Sequence, residues 1–177
     1  MVGEFKVEVL TYKLATEIAV RLAELDSLVY HHLGKLYADT IWQETNFLRP
    51  LPQKWNLSHI AWALERDPVG FWIVSKKSTD LVHTHRVAVH PRWQGHGVGQ
   101  RLLKSVLQAS QEINARQLTL MVIAGNRPAI SFYERLGFSP LAGQALVDFA
   151  LLKANVIIQK NQLLIGEYTY IALEMKI

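Results

Sequence analysis

A chain of 177 residues, half of them hydrophobic and with a net charge of +4, is long enough for one domain with a sizeable core. No apolar run approaches the ~20 residues of a membrane-spanning helix, and no Lys/Arg run exceeds two residues, so neither a membrane partner nor a nucleic-acid partner is expected. The absence of cysteine excludes disulfides, thiolate metal sites and a cysteine nucleophile; the N-terminus, with Glu4, Lys6 and Glu8 among apolar residues, lacks a signal-peptide pattern, which leads us to expect a cytoplasmic protein.

In chain order, Phe5 to Val9 alternates as a short strand. Ile18, Leu22, Leu25, Val29 and Leu33 then mark one face of a helix over 15–33, stopped by Gly34. His31 and His32 fall in its last turn, where the helix dipole favours positive charge. Residues 35–47 predict a second, loosely periodic helix, ended by Arg49-Pro50-Leu51-Pro52. Strands over 58–64, 69–75 and 81–89 follow with short connections, which implies an antiparallel meander. A helix over 99–114 and a strand over 117–123 add a crossover, hence a parallel pair. Past residue 138 the pattern predicts a helix over 144–155 and strands over 156–158 and 168–175.

One stretch carries chemistry. Val87-Ala88-Val89-His90-Pro91 reads as a strand stopped by proline, and Gln94-Gly95-His96-Gly97-Val98-Gly99 as a glycine-bearing turn. Leu102, Leu103, Val106 and Leu107 then recur at helical spacing. Free amides that open a helix favour an anion, so this loop can hold a phosphate or pyrophosphate. A dinucleotide fingerprint from Gly95 needs glycine where Gln100 stands, and a P-loop needs Gly-Lys-Ser/Thr where Gln100-Arg101-Leu102 stands. Neither pattern fits.

What fits is Gln94-x-x-Gly97-x-Gly99, which resembles the acetyl-coenzyme A loop of the GNAT-type N-acetyltransferases. Asn126-x-x-Ala129-x-x-Phe132-Tyr133-x-x-x-Gly137-Phe138, one helix and one strand later, resembles that family's second motif. The resemblance covers residues 55–140 well and implies a single domain over 1–177 with an atypical tail over 140–177. Its implied fold is α+β: a mixed, mostly antiparallel twisted sheet of about six to seven strands flanked by helices. The strands ending near Val89 and Ile123 would splay around the cofactor's pantetheine arm.

The resemblance also implies roles. Gln94, Gly95, His96, Gly97, Val98, Gly99 and Gln100 would surround the pyrophosphate of acetyl-coenzyme A (acetyl-CoA), the cosubstrate. The amides of Val87 and Val89 would bond the arm and the acetyl carbonyl. Asn126 would contact the arm and also cap the helix ahead of Pro128. Tyr133 would be the general acid toward the leaving thiolate.

The general base is where the chain departs from its relatives. Met121 stands where several peptide-acetylating members carry glutamate, and His83, at a second such position, can accept a proton. Glu65 or a water chain is the alternative. His83 and His85 are expected on one strand face, with Thr84 and Arg86 on the other. No third ligand accompanies the two histidines, so no metal is expected. The implied function is acetyl transfer to a primary amine, a protein N-terminus, a lysine or a small molecule, by direct attack in a ternary complex. A non-catalytic acyl-CoA sensor is the alternative. Acceptor choice is expected in 34–56 and 140–167, and a homodimer is left open.

Overall fold

The computed structural model describes residues 3–64, 66–153 and 155–177. The meander expected in the middle of the chain is the centre of its sheet: β2 (His59–Ala63), β3 (Pro68–Lys76) and β4 (Leu81–Val89) pair antiparallel. Residues 69–75 of β3 are all buried, as a strand covered on both faces requires. The strand β1 (Phe5–Val9) pairs with β2, and β5 (Gln117–Ile123) lies parallel to β4. Beyond it, β9 (Tyr168–Lys176) pairs antiparallel with β5, and the hairpin of β7 (Val156–Gln159) and β8 (Gln162–Ile165) extends the same sheet. A two-residue strand, β6 (Ser139–Pro140), also pairs with β9.

Among the described residues the sheet has nine strands, more than the expected six to seven. The main addition is β8, which turns back through Lys160 and Asn161, both in the left-handed region at φ 49° and 60°. A two-residue hairpin turn of type I′ needs positive φ at both central positions. Lysine is an unusual occupant of such a turn, which is why its signal is weak in the sequence.

The helices cover both faces. On one, α1 (Tyr12–Leu33) packs Ile18, Leu22, Leu25 and Val29 against Ile60, Phe71 and Ile73. On the other, α4 (Val98–Glu112) packs Leu102, Leu103 and Val106 against Trp72 and Leu118, beside α5 (Arg127–Arg135). Each fully buried apolar side chain of this kind contributes about 1.5–3 kcal/mol. The tail helix α6 (Gly143–Leu151) packs Leu146 and Phe149 with Met121 and Ala172. Those two point to the α1 face, since their strand neighbours Leu120 and Leu173 join the α4 core. The tail therefore builds the α1 face of the sheet and stands beside the loop that follows α1.

A β-bulge corrects one expectation about β4. Ile73 pairs with Arg86 and Val74 with Thr84, which leaves His85 as the extra residue. Thr84 faces the α4 side, where it accepts a hydrogen bond from Trp72 Nε1 (2.9 Å). Arg86, displaced by the bulge, turns to the α1 side instead. His83 and His85 do share a face, their rings edge-on at 5.1 Å.

Arg86 meets Asp26 of α1 in a buried, two-pronged pair, Nε to Oδ1 at 2.8 Å and an Nη to Oδ2 at 2.7 Å. Asp26 also accepts from the Tyr37 hydroxyl (2.6 Å) and the Trp42 backbone N–H (2.8 Å). The guanidinium lies over the rings of Tyr37 and Trp42, 4.6 and 5.3 Å from their centroids. Residues 37–43 are thus pinned as a loop, and the helix expected over 35–47 shrinks to a 3₁₀ turn (Gly34–Leu36) and α2 (Glu44–Leu48). A short helix, α3 (Lys54–Leu57), precedes β2. Asp26→Ala strands a buried guanidinium and should cost about 3–5 kcal/mol of stability. Urea melts of Asp26→Leu, Arg86→Met and the double variant should give a double cost well below the sum of the singles; additive costs would remove the pair from this role.

Candidate active site

The parallel pairing of β4 and β5 is short. Leu81, Val82 and His83 pair with Gln117, Leu118 and Thr119, and past that point the strands diverge. The Val89 carbonyl accepts from the Gln94 side-chain amide (3.1 Å), so the peptide groups of Val89 face the gap. Antiparallel pairing to β3 alternates by residue, which turns those of Val87 to the same side. A ligand carrying amides in its chain could continue the ladder there. A cleft of about 990 Å³ runs through this gap, from the 94–100 loop to the α1 face.

At its first mouth, Gly95 and Gly97 take φ of 78° and 82°, which only glycine adopts without strain, and open space surrounds both. The first backbone bond at the start of α4 runs from Arg101 N–H to the Gly97 carbonyl (3.0 Å). The N–H groups of Val98, Gly99 and Gln100 therefore precede the helix's own ladder and are available to an anion. Gly99 matters for packing instead. A Cβ there would stand 2.9 Å from Phe132 Cζ, so the missing side chain permits close approach of α4 and α5. His96 is exposed in the turn, and its N–H bonds to the Trp93 carbonyl (3.4 Å). The Gln94 carboxamide is directed at Val89, not outward.

Asn126 caps α5, its Oδ1 accepting from Ala129 N–H (3.1 Å), and its Nδ2 donates to the Leu36 carbonyl (2.8 Å). It thereby ties the far end of the gap to the loop after α1. Tyr133 is half-buried in the cleft wall, edge-on to Trp72 and Phe138. Burial pushes its phenol above the usual tyrosine range, so it keeps its proton at neutral pH.

His83 is only 3% exposed and has both ring nitrogens engaged. Nδ1 lies 3.0 Å from Thr119 Oγ1, and Nε2 lies 3.1 Å from Lys153 Nζ. One tautomer satisfies the set: Lys153 donates to Nε2, Nδ1–H donates to Thr119, and the Thr119 hydroxyl reaches the Val82 carbonyl at 3.5 Å. Burial, then the charges of Lys153, His85 and Lys77, push His83 well below the usual imidazole range. His85, bonded to Ser75 Oγ (2.8 Å), is pushed down to about 3, first by burial and then by Lys77. Burial and Lys77 lower Lys153 itself to about 8.

Lys153 is the residue that sequence reasoning passed over. In the sequence it continues the helical series Leu146, Phe149, Ala150, but the helix expected over 144–155 ends at Leu151, and Lys153 lies just past its C-cap, its N–H on the Ala150 carbonyl (3.0 Å) and its side chain in the cleft wall. Met121 packs among the α6 side chains, so the position offers no proton acceptor. Glu65 lies outside the described residues. Among the described residues no group of three His, Asp or Glu side chains is placed to hold a metal ion. The second mouth of the cleft is bounded by Leu36, Tyr37, Asp39 and Trp42 on one side and by Lys153, Ile165 and Tyr170 of the tail on the other.

A splayed parallel pair beside a helix-opening glycine loop defines a fold that holds an extended phosphate-bearing thioester cofactor. A model of the acetyltransferase (GNAT) family matches residues 24–138, and the chain belongs to that family of acetyl-CoA-dependent N-acetyltransferases. An N-acetyltransferase of Methanocaldococcus jannaschii is 29% identical over 104 residues, 49% of this chain and 46% of that protein. The match thus spans just under half the length of that relative. A Bacillus subtilis protein, provisionally named a ribosomal protein bS18-alanine N-acetyltransferase, is 26% identical over 135 residues, 72% of this chain and 84% of that one. The solved ribosomal-protein-S18-alanine N-acetyltransferase of Escherichia coli superposes with a TM-score of 0.67 over 98% of this chain and 94% of its own, at 18% identity. The fold is therefore shared along the whole chain, tail included.

Saturation with acetyl-CoA at 100 times its dissociation constant should stabilise the protein by ~2.7 kcal/mol. Gly97→Glu, which places bulk and negative charge before the free amides, should abolish that stabilisation in a thermal melt. A folded Gly97→Glu protein that still gains stability would remove the loop from the site.

Proposed function

We propose that the chain transfers an acetyl group from acetyl-CoA, held in the β4/β5 gap, to an amine that enters from the α1 face. The observation that carries this reading is the divergence of β4 and β5 beside the unpaired amides of 98–100. Acetyl-CoA supplies a thioester carbonyl that an amine can attack directly, and with no cysteine in the chain no thiol is available to relay it. The amides of Val98, Gly99 and Gln100 hold the pyrophosphate, with Gly95, His96 and Gly97 shaping the turn. Gln94 acts indirectly, by fixing Val89. The peptide groups of Val87 and Val89 hold the arm and polarise the carbonyl, and the unused lone pair of Asn126 is directed at the same arm.

Tyr133 donates the proton that the departing sulfur needs; its raised pKa suits a group that must remain a donor until then. His83 is the basic group nearest the base of the gap, and Thr119 fixes its orientation. A proton leaving the acceptor is taken by Lys153, whose amine, lowered to about 8, is the stronger base of the pair and is held in place by His83 Nε2. The Bacillus subtilis protein, which aligns with 72% of this chain, is named for acetylating an alanine of a ribosomal protein, and an alanine offers an amine only at a chain's N-terminus; that supports a peptide N-terminus over a lysine or small amine as acceptor. Its side chains would meet the 36–42 loop and the tail.

Tyr133→Phe keeps the ring and its packing and removes the donor. Maximal rate should fall about 10²–10⁴-fold, the usual contribution of one general acid, while acetyl-CoA affinity is unchanged. Steady-state thiol release with the best amine of an acceptor panel, beside a binding isotherm, reads both. A parental maximal rate with weakened binding would make Tyr133 a packing residue.

A further inference from the structure

We propose that Lys153 is itself an acetyl acceptor, modified from acetyl-CoA bound in its own cleft when no other amine occupies the α1 face. This rests on the proposed cofactor site and goes beyond it, by naming an amine the site presents to its own thioester. A primary amine, Lys153 Nζ, stands 3.1 Å from His83 Nε2 at the closed end of the gap. The same amine lines the cleft that contains Val87, Leu120 and Tyr133. Lys153 follows the C-cap of α6, and its amine lies over the ring of Phe149 on that helix, 5.4 Å from the centroid.

The charges around it leave the amine unclaimed. His83 and His85 face it from β4, Lys77 from the end of β3, and Thr119 from β5. Among the described residues the ion pairs are Arg21–Asp67, Lys35–Glu167 and Arg86–Asp26, so no carboxylate holds Lys153. Burial and like charge both favour the neutral amine, with its lone pair free, over the ammonium. An exposed lysine at pH 8 is almost wholly protonated; this amine, lowered to about 8, carries a far larger neutral share.

The chemistry balances without a further reactant. The Lys153 lone pair attacks the thioester carbonyl carbon, an N–C bond forms, and the C–S bond breaks with its electron pair leaving on sulfur. The nitrogen gives up one proton and the sulfur gains one, from Tyr133, which is then reprotonated. The products are Nε-acetyl-Lys153 and free coenzyme A.

The test is a time course of the purified protein with acetyl-CoA alone, read by peptide mass spectrometry at every lysine between pH 7 and 9. Lys153 should acquire acetyl on the order of 100-fold faster than any surface lysine, because the reactants are held together. Its rate should climb with pH through about 8 and flatten toward 9, where most of the amine is free, while exposed lysines continue to gain. Excess free coenzyme A should suppress the label, as should Gly97→Glu; the competitor serves where that variant does not fold. Acetyl phosphate, a donor that does not need the cleft, should not favour Lys153. Label spread evenly over the lysines, or equal labelling of Lys153 by acetyl phosphate, would overturn the proposal. A protein that shows the acetyl-CoA-induced rise in melting temperature and no label at Lys153 would overturn it alone, leaving the cofactor site in place. A protein with no such rise would overturn the cofactor assignment as well.

Discussion

β4 loses its partner halfway along. Up to His83 it shares a ladder with β5, and further on the peptide groups of Val87 and Val89 face a gap. Unpaired backbone groups inside a protein are costly unless something meets them. The crossover through α4 runs beside the gap, where Gly99 lets α4 settle against Phe132 of α5 and both helices pack the same sheet face. The same crossover aims the first amides of α4 at the mouth of the gap. Anion site and amide-lined slot therefore arise from one connection, and neither could move without the other.

The acceptor side is held by a different device. Asp26 and Arg86 are buried charges that satisfy one another and fix Tyr37, Thr40 and Trp42 above the gap. The bulge at His85 is what brings Arg86 round to the α1 face, so a local irregularity in β4 sets the geometry of a loop that is distant in sequence. Opposite that loop stands the tail, with Lys153 and Tyr170 in the cleft wall. The two segments least like the family motifs thus meet over the same opening.

Much of this was legible in the sequence for a physical reason. The meander, the crossover and the glycine turn each depend on local patterns: runs of β-branched residues, helical spacing, and positions where only glycine fits. Gly97 and Asn126 could be placed because turn and cap geometry act within a few residues. The bulge could not, since it depends on how β3 and β4 match in length, and it reversed the face expected for Arg86. The 35–47 helix failed for a similar reason, as a carboxylate on α1 captured the Trp42 N–H that a helix would have used. His83 was found as a basic group, but the amine that occupies its Nε2 comes from 70 residues away in the chain and leaves no local trace.

The central claim is that the β4/β5 gap and the loop at its mouth bind one cofactor together. Backbone amide NMR during a titration with coenzyme A tests it directly, residue by residue. The amides of Gly97 to Gln100 and those of Val87 and Val89 should shift in parallel, with one shared affinity. Shifts confined to residues 34–43 and the tail, with the 97–100 amides unmoved at saturation, would contradict it.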